Sequence, residues 1–461
     1  MKQKSVLYLL GFAMAVFFAS LALIPFYFKE RFLPPLDNFS VALFSLASAG
    51  LIVCYLFGYK KIRGLAASPS LIKAIIAFSM IFSIILVLIP PVGSGDIFNY
   101  ILRSRILTEY GENPYLTTTS TIPQDLFYHY SPEEWHEIPM QYGPVFAFVS
   151  IGSSFLAQDR FMGNQLLLKI FSVLVHIGNI LLIIGILSII RPASKAVGVF
   201  LYAWNPLVLF EVANNAHNDI LMAFFVLLSI FLYLKKKYLW VLPVLVCSIL
   251  TKYVTLLLLP LFLYFVIKKV PREKLAWLIL KTGFICLLGT VVFYWPFWEG
   301  WKIFNSLAVQ TKLISFFNFS LIPMLIFGLT QLASLVMPID IFEAISLVRL
   351  VAFYSFLIGY VCLMYKIIKN PAKEIVYSTF IIIISYVAIG VVSLQSWYFL
   401  WFFPLAALID KKWVRATLFL LTAVGLLSYS PFFISLLLLL MFLFVVTWWI
   451  IKRFTQSLKS V

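Results

Sequence analysis

The chain has 461 residues, 63% hydrophobic and only 11% charged, with a mean hydropathy of +1.02. A soluble fold of that length needs far more polar surface over its core, so composition implies a polytopic membrane protein and excludes a soluble enzyme or binding module. The net charge of +17 does not point to nucleic acid, because the excess lies in short clusters between apolar runs and not on a basic domain.

Apolar runs of about 17–25 residues recur without barrel alternation, so the spans are predicted to be helical. The first, 6–26, follows Lys2 and Lys4 and lacks a small-residue cleavage site. It is too long for a signal peptide and reads as a retained helix. Runs 39–59 and 71–91 come next. The positive-inside rule places Lys60-Lys61-Ile62-Arg63 in the cytoplasm and the polar stretch after Pro91 outside. Run 143–156 is short for a span and is expected to dip into the outer surface, while 165–190 crosses inward to Arg191 and Lys195. Runs 196–210 and 220–234 lead to Lys235-Lys236-Lys237, and 238–269 divides at Thr251-Lys252-Tyr253 into two short helices.

Run 275–295 returns outward to an aromatic stretch, Trp295-Pro296-Phe297-Trp298, that opens a second external segment reaching residue 343. Within it, 321–336 reads as reentrant or interfacial. Runs 344–365, 375–392, 397–408, 414–427 and 431–451 complete about 14 spans, with both termini cytoplasmic. Cys54, Cys247, Cys286 and Cys362 all lie within apolar runs and read as packing residues.

By this topology four polar clusters share the outer side. Asp96 opens the first, in Pro90-Pro91-Val92-Gly93-Ser94-Gly95-Asp96, and a carboxylate at a bilayer boundary is costly enough to be a functional candidate. Its bland reading is a helix-end cap. Arg103 and Arg105 follow, with Tyr100, Asn113, Tyr115 and Tyr142. The second cluster runs from Glu211 to Asp219 and contains Asn214-Asn215-Ala216-His217-Asn218-Asp219 ahead of a helix. N-capping explains Asn218 or Asp219 but not five polar residues in six. Lys252 is the third, a lone cation between apolar helices that either snorkels to head groups or binds a phosphate. Gln395-Ser396-Trp397-Tyr398 is the fourth, readable as an interfacial belt or as a wall for a sugar or isoprenoid chain. His176, in mid-span beside Asn179, reads as an interhelical hydrogen-bonding group. The spacing of His129, His136 and His217 is no metal signature.

In this order, these segments resemble the GT-C superfamily of integral-membrane glycosyltransferases, and within it the mannosyltransferase-like members. The likeness rests on Gly95-Asp96, Tyr100, Arg105, Gly111-Glu112-Asn113-Pro114-Tyr115, Tyr142-Gly143-Pro144, Asn205-Pro206, His217-Asn218-Asp219, Thr251-Lys252-Tyr253 and Gln395-Ser396-Trp397-Tyr398. It implies an all-α fold with a long first extracytoplasmic loop. Residues 70–410 would form the glycosyltransferase module, 1–69 two accessory helices, and 411–461 a terminal hairpin with a basic tail.

The resemblance also implies that Asp96 acts as general base and that mannose passes, with inversion, from a polyprenyl-phosphate donor to an extracytoplasmic lipid or glycan acceptor. The donor phosphate would meet Arg105, Lys252 and Arg103. Tyr100, Asn113, Tyr115, Tyr142, His217, Asn218, Asp219, Gln395, Trp397 and Tyr398 would line the substrate. Many members carry a second acid beside the first; here Gly95 and Ile97 flank Asp96, which disfavours a divalent metal. A transporter or lipid-linked sugar flippase is the rival from another class, and it requires ionisable groups and broken helices near the bilayer midplane.

Overall fold

The computed structural model describes residues 2–24, 38–305, 330, 341–370 and 374–429. No β-strand occurs among them. Six helices are long and apolar enough to cross a membrane: Ser5–Leu23, Asn38–Ile62, Pro69–Leu88, Phe161–Ile190, Arg272–Phe297 and Ala344–Lys369. The protein is thus a multi-pass membrane protein. The expected elements at 321–336 and 431–451, and the basic tail, lie outside the described residues.

In chain order the helices are α1 (Lys2–Ser20), α2 (Asn38–Ile62), α3 (Pro69–Leu88), α4 (Asp96–Thr108), α5 (Pro144–Ala157) and α6 (Phe161–Ile190). Next come α7 (Lys195–Ala203), α8 (Pro206–Leu209), α9 (Asp219–Leu234), α10 (Tyr238–Ile249), α11 (Leu259–Lys269) and α12 (Arg272–Tyr294). The described set closes with α13 (Ile341–Lys369), α14 (Ile375–Ser385), α15 (Phe403–Ala407) and α16 (Lys412–Leu427).

One run that reads as a continuous span is broken. Run 196–210 divides at Trp204-Asn205-Pro206, where the chain bends by 50°. Pro206 cannot continue the amide ladder, and Asn205 caps the new helix by accepting from the amides of Leu207 and Val208. Run 238–269 divides, as the sequence leads one to expect, between α10 and α11 at the Lys252 turn. At 14 residues α5 is about 21 Å long, shorter than a bilayer core of about 30 Å.

The centre of the bundle is α3, α6, α7 and α9. His176 on α6 sits between Ser79 Oγ (3.1 Å) and the Tyr202 hydroxyl (3.2 Å), and Asn179 donates to that same hydroxyl. These are the interhelical bonds expected of a buried mid-span imidazole. The α2 helix packs on this centre, with Tyr55 stacked on Phe200 and donating to the Leu201 carbonyl.

Candidate active site around Asp96

Two prolines end α3 by removing backbone donors, which leaves carbonyls to be satisfied. The Asn214 amide fills that need. Its Nδ2 donates to the carbonyls of Leu86, Ile89 and Pro90, and its Oδ1 accepts from the Val92 amide. Lys169 adds a bond to the Ile89 carbonyl from α6. Gly93 then turns with φ +82°, and any Cβ there would strike the Tyr429 ring. The chain so directed enters α4 at Asp96, in the first helical turn, where the amide dipoles favour a carboxylate.

Facing Asp96 is the segment between α8 and α9. A π-turn, Phe210–Asn214, holds Glu211, and Ala216 adopts a left-handed φ of 54°. This brings the His217 amide to the Glu211 carbonyl at 3.0 Å. The buried imidazole of His217 lies between two carboxylates, with Nδ1 3.7 Å from Asp96 Oδ2 and Nε2 3.2 Å from Glu211 Oε2. Neither approach is aligned as a hydrogen bond. The Trp397 ring stacks on the imidazole at 4.2 Å and 14°, which fixes its plane. Glu211 is held in turn by the Tyr429 hydroxyl at 2.7 Å and the Asn215 amide at 3.1 Å.

A second charged pair adjoins the first. Lys252 Nζ lies 2.6 Å from Asp219 Oδ1, which also accepts from the Trp401 indole N–H. The ammonium sits over the rings of Tyr398 (5.0 Å) and Trp401 (5.3 Å), a cation–π arrangement. Snorkelling does not describe this lysine, because a carboxylate and two rings hold it.

Asp96 alone among these acids keeps some access, at 13% side-chain exposure against none for Glu211 and Asp219. Burial pushes its carboxyl above the usual range; the charges of His217, Lys252 and Arg103 oppose that rise, and Asp219 adds to it. Arg103 is fully buried on α4, and burial pulls it down to about 10. Its Nη2 donates to the Trp135 carbonyl, while Nε and Nη1 find no partner among the described residues. Tyr100 and Tyr142 meet edge to face at 5.2 Å on this side.

The other sequence candidates fall elsewhere. Arg105 is the clearest correction, because its guanidinium is already engaged. Nε donates to both oxygens of Asp125 (3.1 and 2.8 Å), Nη2 to Asp159 (2.9 Å) and Nη1 to the Gln158 carbonyl (3.3 Å), over the Phe127 ring. It clamps the loop to the start of α6 and is not presented to a phosphate. Asn113 latches the loop to the turn after α12, donating to the Phe297 carbonyl and Glu299, and Tyr115 donates to the Tyr142 carbonyl. Gln395 bonds Ser393. Asn218 does not cap α9, and neither end of its buried amide has a partner among the described residues. Glu211, Tyr429 and Trp401 carry no role in the sequence reading. Glu211 is legible in principle as an acid closing an apolar run, whereas the two aromatics look like any belt residue. Among the described residues no group of three His, Cys, Asp or Glu side chains is placed to hold a metal.

Comparison with known proteins bears on this geometry. A protein of Mycolicibacterium smegmatis, named a probable alpha-(1->6)-mannopyranosyltransferase, is 27% identical over 145 residues. The match takes in 31% of this chain and 26% of that protein, so it spans about a quarter of the relative's length. The family model described as alpha-(1->6)-mannopyranosyltransferase, N-terminal domain, matches residues 15–268, more than half of this chain. That stretch contains Asp96, Arg103, Glu211, His217, Asp219 and Lys252, and by it the chain belongs to the alpha-(1->6)-mannopyranosyltransferase family.

Proposed function

We propose that the protein transfers mannose from a polyprenyl-phosphate donor to an extracytoplasmic lipid or glycan acceptor, with Asp96 as general base. The observation that carries this reading is the one partly accessible carboxylate of the cluster, Asp96, set beside a buried imidazole that a second carboxylate backs. Family membership supports transfer over the transporter reading, as does His176, whose bonds to Ser79 and Tyr202 occupy it in the mid-span.

Asp96 takes the proton of the acceptor hydroxyl as that oxygen attacks the anomeric carbon. The bond from that carbon to the phosphate oxygen breaks with inversion, and polyprenyl phosphate leaves with the electron pair. The charge of His217 favours the ionised form of Asp96, and Glu211 backs the imidazole on its other nitrogen. Lys252 and Arg103 meet the donor phosphate: the first shares its charge with Asp219, the second has two guanidinium nitrogens to offer. Tyr142, Trp397 and Tyr398 wall the sugar. The architecture is a GT-C fold of about 14 spans, with both termini cytoplasmic and the loop after α3 outside.

The test is direct. Purified protein supplied with radiolabelled polyprenyl-phosphate mannose and a membrane acceptor should form new glycosidic bonds. Asp96→Asn should cut their rate by about 10²-fold or more while donor affinity stays near that of the wild type. No bond formation with any polyprenyl-phosphate sugar, or full activity in the variant, refutes the reading.

A further inference from the structure

At the end of the bundle opposite Asp96 lies a second polar cavity, of about 220 Å³. Its position follows from the helices: Arg63 comes just after α2 and before α3, Arg191 just after α6, and Arg415 in the first turn of α16, whereas Asp96 follows the far end of α3. The guanidiniums of Arg63, Arg191 and Arg415 line it, and Asp410 is the one acidic side chain among its lining residues. Tyr59 and Ser194 add hydroxyls, and Leu187, Val197 and Leu201 give an apolar floor.

The arginines come from three separate parts of the chain, so no local helix punctuation accounts for their meeting. Two are partly neutralised: Arg415 pairs with Asp410, and Arg191 lies 3.6 Å from Glu374 while donating to the Leu408 carbonyl. Arg63 contacts only the Tyr59 ring, at 5.6 Å to the centroid. Three guanidiniums against two paired acids, Asp410 and Glu374, leave a net positive hollow. Its volume is below the roughly 300–1,000 Å³ of pockets that take drug-sized ligands. Guanidiniums match phosphate oxygens in a planar, forked geometry, and they exceed lysine in doing so.

We infer that this cavity binds a phosphate-bearing anion, its oxygens bridging Arg63 to Arg191 and Arg415. The apolar floor and the position at the helix ends fit the phosphodiester of an anionic lipid, and free phosphate offers the same oxygens. The site is independent of the reaction proposed at Asp96.

The experiment uses the full-length protein in nanodiscs of phosphatidylcholine, titrated with phosphatidylglycerol or, separately, with inorganic phosphate, and read by native mass spectrometry and thermal shift. Arg63→Gln and Arg415→Gln should each weaken binding about fivefold, as expected for one cation at a lipid surface. Lys237→Gln, which removes the same charge outside the cavity, should leave binding unchanged. Retained phosphatidylglycerol that phosphate does not displace assigns a lipid headgroup; phosphate binding without lipid retention assigns the free anion. Both support the site. Should the wild type bind neither, or should both arginine variants bind like the wild type, the inference is wrong. Among the described residues Arg63 makes no ion pair, so its variant tests binding and not folding.

Discussion

A single imidazole decides how Asp96 behaves. His217 has a carboxylate on each nitrogen and an indole against its face. Replacement by Phe keeps the stack but removes both nitrogens. His217→Phe is expected to lower turnover by about 10–100-fold with little change in donor affinity. Because burial raises Asp96 and the imidazole lowers it, the variant's acid limb should also move to higher pH. The sign is fixed: a base must be ionised, so activity is lost as pH falls through its value. In the wild type that loss should begin above the ordinary carboxylate range. A purely packing role for His217 predicts a slower enzyme with an unshifted profile, and a pH–rate series separates the two. The convergence of Asp96, His217, Asp219 and Lys252 is legible in sequence, since polar residues confined to one side of a membrane chain have few other places to go. Arg105 is not legible, because its partners Asp125 and Asp159 lie 20 and 54 residues away and nothing local announces the clamp.

At the scale of the elements, the site rests on two tight approaches. The first is Asn214, which closes three carbonyls at the end of α3. Asn214→Ala takes this donor from the Leu86 and Pro90 carbonyls, Ile89 keeping its bond from Lys169, and should cost about 1–3 kcal/mol, the penalty for unsatisfied buried polar groups. Thermal unfolding in detergent measures it. The second is Gly143, whose amide donates to the Thr251 carbonyl at 3.2 Å. A Cβ at Gly143 would lie 2.1 Å from the Leu250 carbonyl oxygen, so Gly143→Ala must push the loop off the Lys252 turn. It is expected to destabilise the protein and to reduce activity together, whereas Gly152→Ala on α5, which meets no atom within 4 Å, should disturb packing far less. Run 196–210 reads as one span although Pro206 interrupts it, and only the proline break after α3 was readable. The π-turn at Glu211 was not, because no residue type demands it.

For the whole molecule the outstanding question is which way it faces. Charge placement puts Glu112 outside and Lys236 inside, and both are exposed. Single cysteines there, in a background lacking Cys54, Cys247, Cys286 and Cys362, should differ in reaction with an impermeant thiol reagent: Glu112→Cys labels from outside intact cells and Lys236→Cys only after permeabilisation. The reverse pattern would place the Asp96 end in the cytoplasm. Helical class and membrane character were plain from composition, while the pairing of distant segments was not, since that information sits in side-chain geometry.

The bond from Tyr429 to Glu211 joins residues 218 apart in sequence, and that separation has a consequence for biosynthesis. Chains grow from the N-terminus at about 5–20 residues per second. Asp96, His217 and Glu211 therefore leave the ribosome well before the hydroxyl that secures Glu211, and before the indole of Trp397 that orients His217. A nascent chain holds the acids of the centre without the aromatics that set their geometry. The contact that secures Glu211 is available only after the last described helix has left the ribosome, so a stalled or truncated product would lack the finished geometry of this centre.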